Sequence, residues 1–309
     1  EEALDIIQYR PELLADIKGI SMDKALKIGH AFNLQNELRA VVMFFQQYGI
    51  SPAYSAKIYK VFGERTIEEI KSNPYKLADR IFGIGFKTAD RIAMNIGIDP
   101  SSKYRVCSGI KYVLSQAASN GHTFVPRDKL TEHTSNLLRV ELYDIEQALI
   151  ALTIDQSVYT ENYEDGVRVF LSSFHSAELS VCRRLVELSA AEFEMDVDDL
   201  EAKLEEVQLE EGIILAEKQK AAIRESMLNG VLVITGGPGT GKTTIIKSII
   251  KLLDNEGCEA VLAAPTGRAA KRMSEATGFE AKTIHRLLEI GYSGDDDELV
   301  FNRTEYNPI

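Results

Sequence analysis

The stretch VLVITGGPGTGKTTIIKSII, residues Val231 to Ile250, decides how the last third of the chain folds. Its first five residues are leucine or β-branched, a composition typical of a buried parallel strand. A glycine-rich turn follows, and KTTIIKSII then places apolar residues at helical spacing. The stretch therefore predicts a strand, a tight loop and a helix, with backbone N–H groups of the loop available to a phosphate.

The turn matches the P-loop pattern G-x-x-x-x-G-K-[ST] from Gly236 to Thr243. Its glycines allow several N–H groups to converge on phosphate oxygens. Lys242 places a positive charge on the β and γ phosphates, and the Thr243 hydroxyl is the expected Mg²⁺ ligand, so these two are the predicted catalytic residues. The predicted site for ATP and Mg²⁺ consists of Gln219, Gly236, Gly237, Pro238, Gly239, Thr240, Gly241, Lys242, Thr243 and Thr244.

Gln219 lies in LAEKQKAAI (Leu215–Ile223), a predicted helix just before the strand. A glutamine amide both accepts and donates hydrogen bonds, so it can pair with N6 and N7 of adenine. This favours ATP over GTP. The alternative is a surface glutamine on an amphipathic helix.

A second predicted strand, turn and basic helix lie in EAVLAAPTGRAAKRM (Glu259–Met273). Thr266 is the predicted N-cap of that helix. The turn is expected at the carboxyl edge of the sheet, where α/β proteins bind ligands. AKTIHRLLEI (Ala281–Ile290) brings Thr283 and His285 to the same edge. The basic side chains of the helix are Arg268, Lys271 and Arg272.

Three segments near the N-terminus align without gaps: GISMDKALKI (Gly19–Ile28), GISPAYSAKI (Gly49–Ile58) and GIGFKTADRI (Gly83–Ile92). Each begins with Gly-Ile, then has a small residue, a basic residue and a second Ile at matching positions. The repeat predicts pairs of helices joined by a tight turn, in which glycine supplies a left-handed backbone. The isoleucines are expected to pack inward, and the small residue lets the helices approach.

The helix after each turn presents free N–H groups, which favour an anion such as a backbone phosphate of DNA. In the first two repeats Ser21 and Ser51 replace the second glycine, so their phosphate contact stays open. The segments resemble the helix-hairpin-helix module, which grips the DNA backbone without reading sequence. The alternative is a set of structural hairpins that touch no ligand. The DNA contacts predicted for the third repeat are Gly83, Gly85, Lys87 and Arg91.

Residues 101–190 form a different unit. Helical segments are followed by SVYTENYEDGVRVFLSSF (Ser157–Phe174), which alternates around Glu-Asp-Gly and predicts a β-hairpin. Helices followed by a two-stranded wing suggest a winged-helix fold. Because acidic side chains outnumber basic ones on the wing, we favour a spacer or interaction role. Residues 191–214 are acidic and predicted to form a helical connector.

The formal net charge of −12 argues against a nucleic-acid partner until its distribution is considered. Residues 141–217 carry 20 acidic and 4 basic side chains, whereas residues 1–100 and 218–309 are each balanced. Phosphate-binding faces are therefore allowed at both ends of the chain. The cysteines fit reduced thiols of a cytoplasmic protein, and neither a membrane span nor a signal peptide is predicted.

Gln219, GGPGTGKTT, APTGRAAKRM and TIHRLL, in this order, resemble the first motifs of superfamily 1 helicases, most closely the RecD-like branch. Those RecD-type helicases that act without RecB and RecC carry hairpin repeats and a winged-helix-like region before the motor. The resemblance implies an ATP-dependent helicase that moves 5′ to 3′ on single-stranded DNA and at ss/ds junctions, without sequence preference, in repair or recombination. It also implies DNA contacts from Pro265, Thr266, Gly267, Arg268, Thr283 and His285.

A Walker B strand, an apolar run ending in Asp-Glu, does not occur between Thr244 and Ile309, since the acids of GDDDELVF follow no such run. We expect Walker B, the arginine finger and the second motor domain after Ile309. The chain is then an internal fragment that hydrolyses ATP poorly. Another P-loop ATPase or kinase, and a non-enzymatic DNA-binding module with a regulatory nucleotide pocket, stay open as alternatives.

The predicted protein is therefore multidomain. Tandem all-α helix-hairpin-helix repeats are expected over residues 1–100 and a winged-helix-like α+β domain over 101–190. The acidic connector of 191–214 leads to the first part of a RecA-like α/β P-loop domain over 215–309.

Overall fold

A computed structural model of the chain describes residues 2–191, 197–293 and 298–309. These residues divide into two compact units, Glu1–Leu179 and Ser180–Ile309. Part of the predicted connector and the acidic GDDD run lie outside the described residues. Within the described part, no helix combines the length and the apolar character needed to cross a membrane.

The first part of unit one is entirely helical. Short 3-10 turns at Pro11–Asp16 and Gly63–Arg65 connect some of its helices. The α-helices are α1 (Glu2–Tyr9), α2 (Met22–Gln46), α3 (Pro52–Phe62), α4 (Thr66–Ser72), α5 (Lys76–Arg80) and α6 (Phe86–Ile96). Each of α2, α3 and α6 begins three residues after the first glycine of a repeat, as the alignment predicts.

The turns of all three repeats have the left-handed backbone that the sequence predicts. Gly19, Gly49 and Gly83 have φ values of 101°, 75° and 91°. This region is strained for residues that carry a Cβ, so the turns depend on glycine. The small residue six positions after each glycine is fully buried, at Ala25, Ser55 and Ala89.

The second and third repeats share one hydrophobic core. Ile58 of α3 and Ile92 of α6 are both fully buried in it, and the isoleucines that follow the two turn glycines are buried there as well. The buried members of this core are Val41, Phe45, Ile50, Ile58, Phe62, Ile70, Leu77, Ile81, Ile84 and Ile92. No residue of the first repeat belongs to this core, so the last two repeats form the packed pair.

The rest of unit one combines helices with a three-stranded antiparallel sheet in the order β1-β3-β2. The elements are α7 (Lys103–Ser119), β1 (Phe124–Pro126), α8 (Arg127–Leu138), α9 (Leu142–Ile154), β2 (Val158–Tyr163), β3 (Gly166–Leu171) and α10 (Ser172–Ser189), whose residues from Ser180 onward belong to the second unit. The predicted β-hairpin is present as β2 and β3, and Gly166 after its Glu-Asp turn has a φ of 128°.

Arg105 of α7 joins the hairpin helices to this second part through a buried polar network. Its guanidinium donates to Asp90 of α6 at 2.9 Å and to the carbonyls of Pro100 and Leu138, both at 2.9 Å. The buried Tyr75 hydroxyl donates to the same carboxylate at 2.7 Å. Burial, followed by this bond to Asp90, raises the pKa of Tyr75 above its ordinary value.

The core around this network does not separate at residue 100. Tyr75 and Phe86 from the hairpin region pack in the same cluster as Val106, Ile110 and Leu130. Buried contacts of this kind are the main source of cohesion between neighbouring elements. Residues 1–179 therefore behave as one compact unit.

The second unit has a helical core with small sheets. Its elements are α11 (Val197–Glu211), α12 (Glu217–Leu228), α13 (Lys242–Asn255), β4 (Leu262–Ala264), α14 (Gly267–Thr277), β5 (Ala281–Thr283), α15 (Ile284–Leu287), β6 (Ile290–Ser293) and β7 (Glu298–Phe301). The helix α11 lies in the segment predicted to be a connector. Its side chains Leu200, Leu204 and Val207 are buried against α12 and α13, so it contributes to the core of this unit.

The predicted strand before the P-loop is not formed. Residues 231–235 belong to no strand, and the Val233 side chain is 79% exposed. A strand is held by hydrogen bonds to a neighbouring strand. Within the described residues β4 pairs in parallel with β5, and no strand pairs with 231–235. Only Ile234 of this segment packs against the helical core.

The buried network predicts a large effect of Arg105→Ala on stability. The substitution leaves the largely buried Asp90 carboxylate without its charged partner, so the free energy of unfolding of the first unit should fall by about 3 kcal/mol. Urea denaturation followed by circular dichroism measures this change. The control is Arg65→Ala, which removes an exposed ion pair with Glu68 and should cost less than about 0.5 kcal/mol. Similar small losses in both variants would contradict the role given to Arg105.

Candidate nucleotide and DNA sites

The glycine-rich loop ends at the N-terminus of α13, as the sequence predicts. Gly239 and Gly241 have φ values of 78° and 83°, and Gly241 is the N-cap residue of the helix. Both backbones are in the left-handed region that glycine adopts without strain. The first N–H groups of α13 have no partner within the helix, which makes this end suited to an anion.

The Lys242 side chain folds over the loop. Its ammonium group donates to the carbonyls of Gly236 and Gly237, each at 2.6 Å. The Thr240 hydroxyl donates to the Gly237 carbonyl at 3.0 Å. The loop therefore holds a cation above exposed backbone, where it can exchange carbonyl partners for the oxygens of a phosphate.

Gln219 fixes the position of the loop from the neighbouring helix α12. Its amide nitrogen donates to the Thr240 carbonyl at 3.2 Å, and its amide oxygen accepts from the backbone N–H of Ala216 at 2.9 Å. A Cβ at Gly241 would overlap the Gln219 amide nitrogen. The backbone angle therefore favours glycine at position 241, and a Cβ there would also displace the end of the Gln219 side chain.

The loop has the features needed to hold a nucleoside triphosphate. It combines two left-handed glycines, a helix N-terminus and a lysine ammonium within one turn of chain. The Thr243 side chain lines a cavity between α13 and α14. A phosphate would meet N–H groups and a positive charge here, with no carboxylate among the described residues that line the cavity.

The second predicted motif follows the end of a strand, as expected. Thr266 caps α14 by accepting a hydrogen bond from the backbone N–H of Ala269 at 3.3 Å. Thr283 caps α15 in the same way through Arg286, at 3.2 Å. In the parallel pair of β4 and β5, Ala264 lies opposite Thr283. Pro265 to Arg268 and the Thr283–His285 segment therefore emerge at one edge of the sheet.

Arg268 connects this edge to the P-loop helix. It lines a cavity of about 550 Å³ between α13 and α14 together with Thr243, Thr266 and Arg272. Lys271 of the same helix instead forms an exposed ion pair with Glu275. Two of the three predicted basic side chains thus face the nucleotide-loop helix.

The third hairpin places its predicted contacts around the start of α6. Gly85 is the N-cap, and it provides no side chain to bond the first N–H groups of the helix. By contrast, Ser21 and Ser51 at the same position cap their own helices, by accepting from Lys24 and Tyr54. Only the third repeat therefore leaves this helix end without a side-chain cap.

Arg91 and Tyr54 connect the second and third hairpins, a contact that the sequence does not predict. The guanidinium of Arg91 donates to the Tyr48 carbonyl at 3.1 Å, beside the turn of Gly49. Tyr54 in turn lies against Gly83, where any Cβ would overlap its hydroxyl. Each hairpin thus supports the turn of the other, and Arg91 serves this contact while remaining exposed.

Lys87 is one of the residues that line a groove between α6, α7 and α8. The groove has a volume of about 730 Å³, and its lining includes Lys129, His122 and His133. Lys129 also pairs with Glu132 at 3.1 Å. None of the described residues that line the groove is Asp or Glu, so its lining favours an anion.

The hairpin contacts and the P-loop contacts belong to different units of the structure. The sequence predicts both groups but not the residues that position them, which are Tyr54, Tyr75, Asp90 and Arg105 in the first unit. No local pattern marks these residues, because each acts on a partner 15 or more positions away.

Comparison with known proteins finds two matching families. The family described as the HHH domain of ATP-dependent RecD2 DNA helicase matches residues 34–124, and the AAA domain family matches residues 219–308. The first match includes the packed pair of hairpins, omits the first repeat, and continues through α7 to β1. The second match includes the P-loop and both motifs that follow it.

Three proteins that are similar to this chain are helicases or helicase subunits. The ATP-dependent RecD2 DNA helicase of Deinococcus radiodurans is 27% identical over 308 residues, which cover 94% of this chain and 42% of that protein. The RecD subunit of the RecBCD enzyme of Mycolicibacterium smegmatis is 40% identical over 95 residues, covering 23% of this chain and 17% of that protein. The ATP-dependent DNA helicase dda of Enterobacteria phage T4 is 42% identical over 73 residues, again 23% and 17%.

The two family matches give the general class of protein. A region that matches a helix-hairpin-helix domain is followed by a region that matches an AAA domain and contains the P-loop. More narrowly, the chain is similar to RecD proteins, since one family match is the HHH domain of RecD2 helicase and the similarity along 94% of the chain is to a RecD2 helicase. The chain spans less than half the length of the relatives that it matches.

The contact between Gly241 and Gln219 predicts a sharp effect of Gly241→Ala. The substitution introduces a steric overlap and holds alanine at a φ of 83°, so the free energy of unfolding of the second unit should fall by about 1–3 kcal/mol. Gly237→Ala is the matched control, because a Cβ at that position meets nothing within 4 Å. It should change stability by less than about 0.5 kcal/mol. Thermal and urea unfolding measure both.

The same substitution made in a Gln219→Ala variant separates the two causes of this loss, which are steric overlap and backbone strain. In Gln219→Ala the overlapping amide is gone, so Gly241→Ala should then cost only the strain of its backbone angle, about 1–2 kcal/mol. Equal losses with and without Gln219 would show that the Gln219 amide moves aside without cost when a Cβ occupies position 241.

Proposed function

We propose that the protein is an ATP-dependent DNA helicase that moves 5′ to 3′ along single-stranded DNA, in repair or recombination. The observation that carries the proposal is the arrangement of the second unit, where the P-loop helix and the Thr266–Arg268 turn line one cavity. A motor must link nucleotide state to its grip on DNA. An arginine-bearing turn next to the phosphate loop is a direct way to do so.

ATP is held, in this proposal, by the loop from Gly236 to Thr244 and by Lys242, and Gln219 contributes to adenine recognition. The Thr243 hydroxyl would bind Mg²⁺, which neutralises charge on the phosphates when bound. Lys242 would hold phosphate oxygens in place of the two carbonyls that it now contacts. Gln219 already braces the loop through Thr240, so its amide nitrogen must change partner to reach a base.

DNA is held by two groups of residues. The backbone N–H groups at Gly83 and Gly85, with Lys87 and the exposed Arg91, would bind phosphates without regard to sequence, and Arg91 also supports the neighbouring turn. Pro265 to Arg268, Thr283 and His285 would contact the strand at the motor. Single-stranded DNA and ss/ds junctions are the proposed ligands.

The division of the chain at residues 100, 190 and 214 is kept as a proposal about its sequence regions, two of which share the compact unit 1–179, while α11 packs in the second unit. The order α7-β1-α8-α9-β2-β3, with β3 central in its sheet, supports a winged-helix-like domain from residue 101. The second unit supports the first part of a RecA-like domain through its parallel pair β4–β5. Free thiols at Cys107, Cys182 and Cys258 support a cytoplasmic location.

The direct test is unwinding of a duplex with a 5′ single-stranded tail by the protein that carries this sequence. ATP-dependent unwinding of that substrate, absent in Lys242→Ala, is the expected result. Unwinding only from a 3′ tail would contradict the direction. Binding and phosphorylating a small nucleotide, without unwinding, would favour a P-loop kinase.

Lys242→Ala should lower the affinity of the chain for ATP by at least about 10-fold, because it removes a charge-assisted contact to phosphate. Lys251→Ala is the matched control. It lies on the same helix and pairs with Glu210 at 3.4 Å, so ATP affinity should be unchanged. Titration with a fluorescent ATP analogue measures both. Equal affinities for wild type and Lys242→Ala would contradict the assignment of the loop.

DNA binding through the third hairpin should weaken as salt rises and should not depend on sequence. Lys87→Ala removes one phosphate contact, so the slope of log affinity against log salt should become shallower by about 0.9 for duplex DNA. Lys27→Ala is the control, since Lys27 lies in the first repeat and pairs with Asp23 at 2.7 Å. Fluorescence anisotropy at several salt concentrations measures the slopes. An unchanged slope in Lys87→Ala would remove Lys87 from the interface.

A further inference from the structure

Phe82 stands at the tip of the third hairpin with its ring in solvent. The residue immediately precedes Gly83, and its side chain is 86% exposed. Among described residues 2–100 no other large apolar side chain is as exposed. Exposed phenylalanine contributes nothing to the core, because the stabilising effect of apolar surface comes from its removal from water. Phe82 therefore has no packing role in the described structure, and its ring is free to contact a ligand.

The second repeat shows that the turn does not force this exposure. Tyr48 occupies the equivalent position, directly before Gly49, and is half-buried against the hairpin core. Its ring meets Phe44 edge-on at 5.3 Å. The first repeat has Lys18 at this position. The same fold therefore presents a lysine, a packed tyrosine and a free phenylalanine in its three copies.

An aromatic cluster lies close to Phe82 in sequence but does not include it. Phe86, four residues later, stacks on Tyr75 at 6.0 Å and on Tyr112 at 5.1 Å. Within the described residues Phe82 makes no ring contact with this group. Aromatic side chains therefore pack together nearby, but the ring of Phe82 is not among them.

The surroundings of Phe82 match the backbone of a nucleic acid. Gly85 leaves the start of α6 without a side-chain cap, and a Cβ there would meet nothing within 4 Å. Lys87 adds a positive charge and leads to the groove that has no carboxylate in its described lining. A phosphate bound at this helix end would bring the sugar and base of the same strand beside the hairpin tip.

We propose that Phe82 stacks on a DNA base whose face is uncovered, and thereby makes the third hairpin select the end of a duplex or the adjoining single strand over continuous duplex. The inference rests on the proposed function, since it requires DNA at the start of α6. In a continuous duplex both faces of every base are already stacked, so the ring has no partner there. At a junction one face is free, and aromatic side chains stack on it regardless of base identity.

Tryptophan fluorescence tests this directly, because the chain contains no tryptophan. Phe82→Trp places a single indole at the hairpin tip. Adding a junction with a 5′ tail should quench its emission, while a covalently closed circular duplex, which has no ends, should change it far less at the same saturation. Tyr143→Trp is the matched control: that side chain is 72% exposed, on α9, and its emission should be unchanged by either DNA.

Phe82→Ala supplies the second measurement. Its affinity for the junction should fall by about 10-fold, within the range of one stacked base, and its affinity for continuous duplex by less than about 2-fold. The salt slope should equal that of wild type, because no phosphate contact is lost. Since Phe82 is exposed, the melting temperature should also match wild type.

The outcomes separate this inference from the proposed function. If the wild-type chain shows no salt-dependent DNA binding, the hairpin assignment fails and this inference fails with it. If wild type binds DNA but the emission of Phe82→Trp is insensitive to the junction, or Phe82→Ala loses junction and duplex affinity equally, only the role of Phe82 is overturned. Junction-selective quenching together with junction-selective loss supports it.

Discussion

A left-handed backbone, which glycine adopts without strain, precedes the helix at both candidate sites. Gly83 has this conformation ahead of α6, and Gly239 and Gly241 have it ahead of α13. The turn reverses the chain within a few residues, so the helix begins with its N–H groups exposed. Both helix ends present backbone donors that suit an anion, and in the proposed function one binds a DNA phosphate and the other a nucleotide. The remaining residues of each site are placed relative to these helix ends.

The two glycine turns are supported in a similar way by a polar side chain from another helix. The Tyr54 hydroxyl occupies the space that a Cβ at Gly83 would need, and the Gln219 amide does the same at Gly241. A Cβ at either glycine would therefore displace the neighbouring side chain as well as strain the backbone angle. It also fixes the turn against an element that has its own buried core, Ile58 in α3 and Ile223 in α12. Such second contacts give a binding loop a defined shape before its ligand arrives.

The difference between the hairpin repeats has a physical basis in single positions. Ser21 and Ser51 satisfy the N–H groups of their own helices, whereas Gly85 does not. The serine side chains therefore compete with any phosphate, and the third helix end stays available. The RecD2-type family match covers the second and third repeats but not the first, in agreement with their shared core. Of the three repeats, only the third both packs against another repeat and leaves the start of its helix without a side-chain cap, where a phosphate can bind.

The sequence by itself determined the local features of this protein. The glycine turns, the cap at Thr266, the β2–β3 hairpin and the start of α13 all occur where the pattern predicts them. These features depend on steric and hydrogen-bonding preferences within a few residues, which a sequence displays directly.

Only the tertiary structure decided which distant residues meet. The Arg105 network, the bracing of the P-loop by Gln219 and the packing of α11 join residues far apart in the chain, and no local preference encodes them. The same limit explains the error at residues 231–235. Their β-branched composition favours a strand, but a strand forms only against a neighbour, and the described structure pairs β4 with β5 instead.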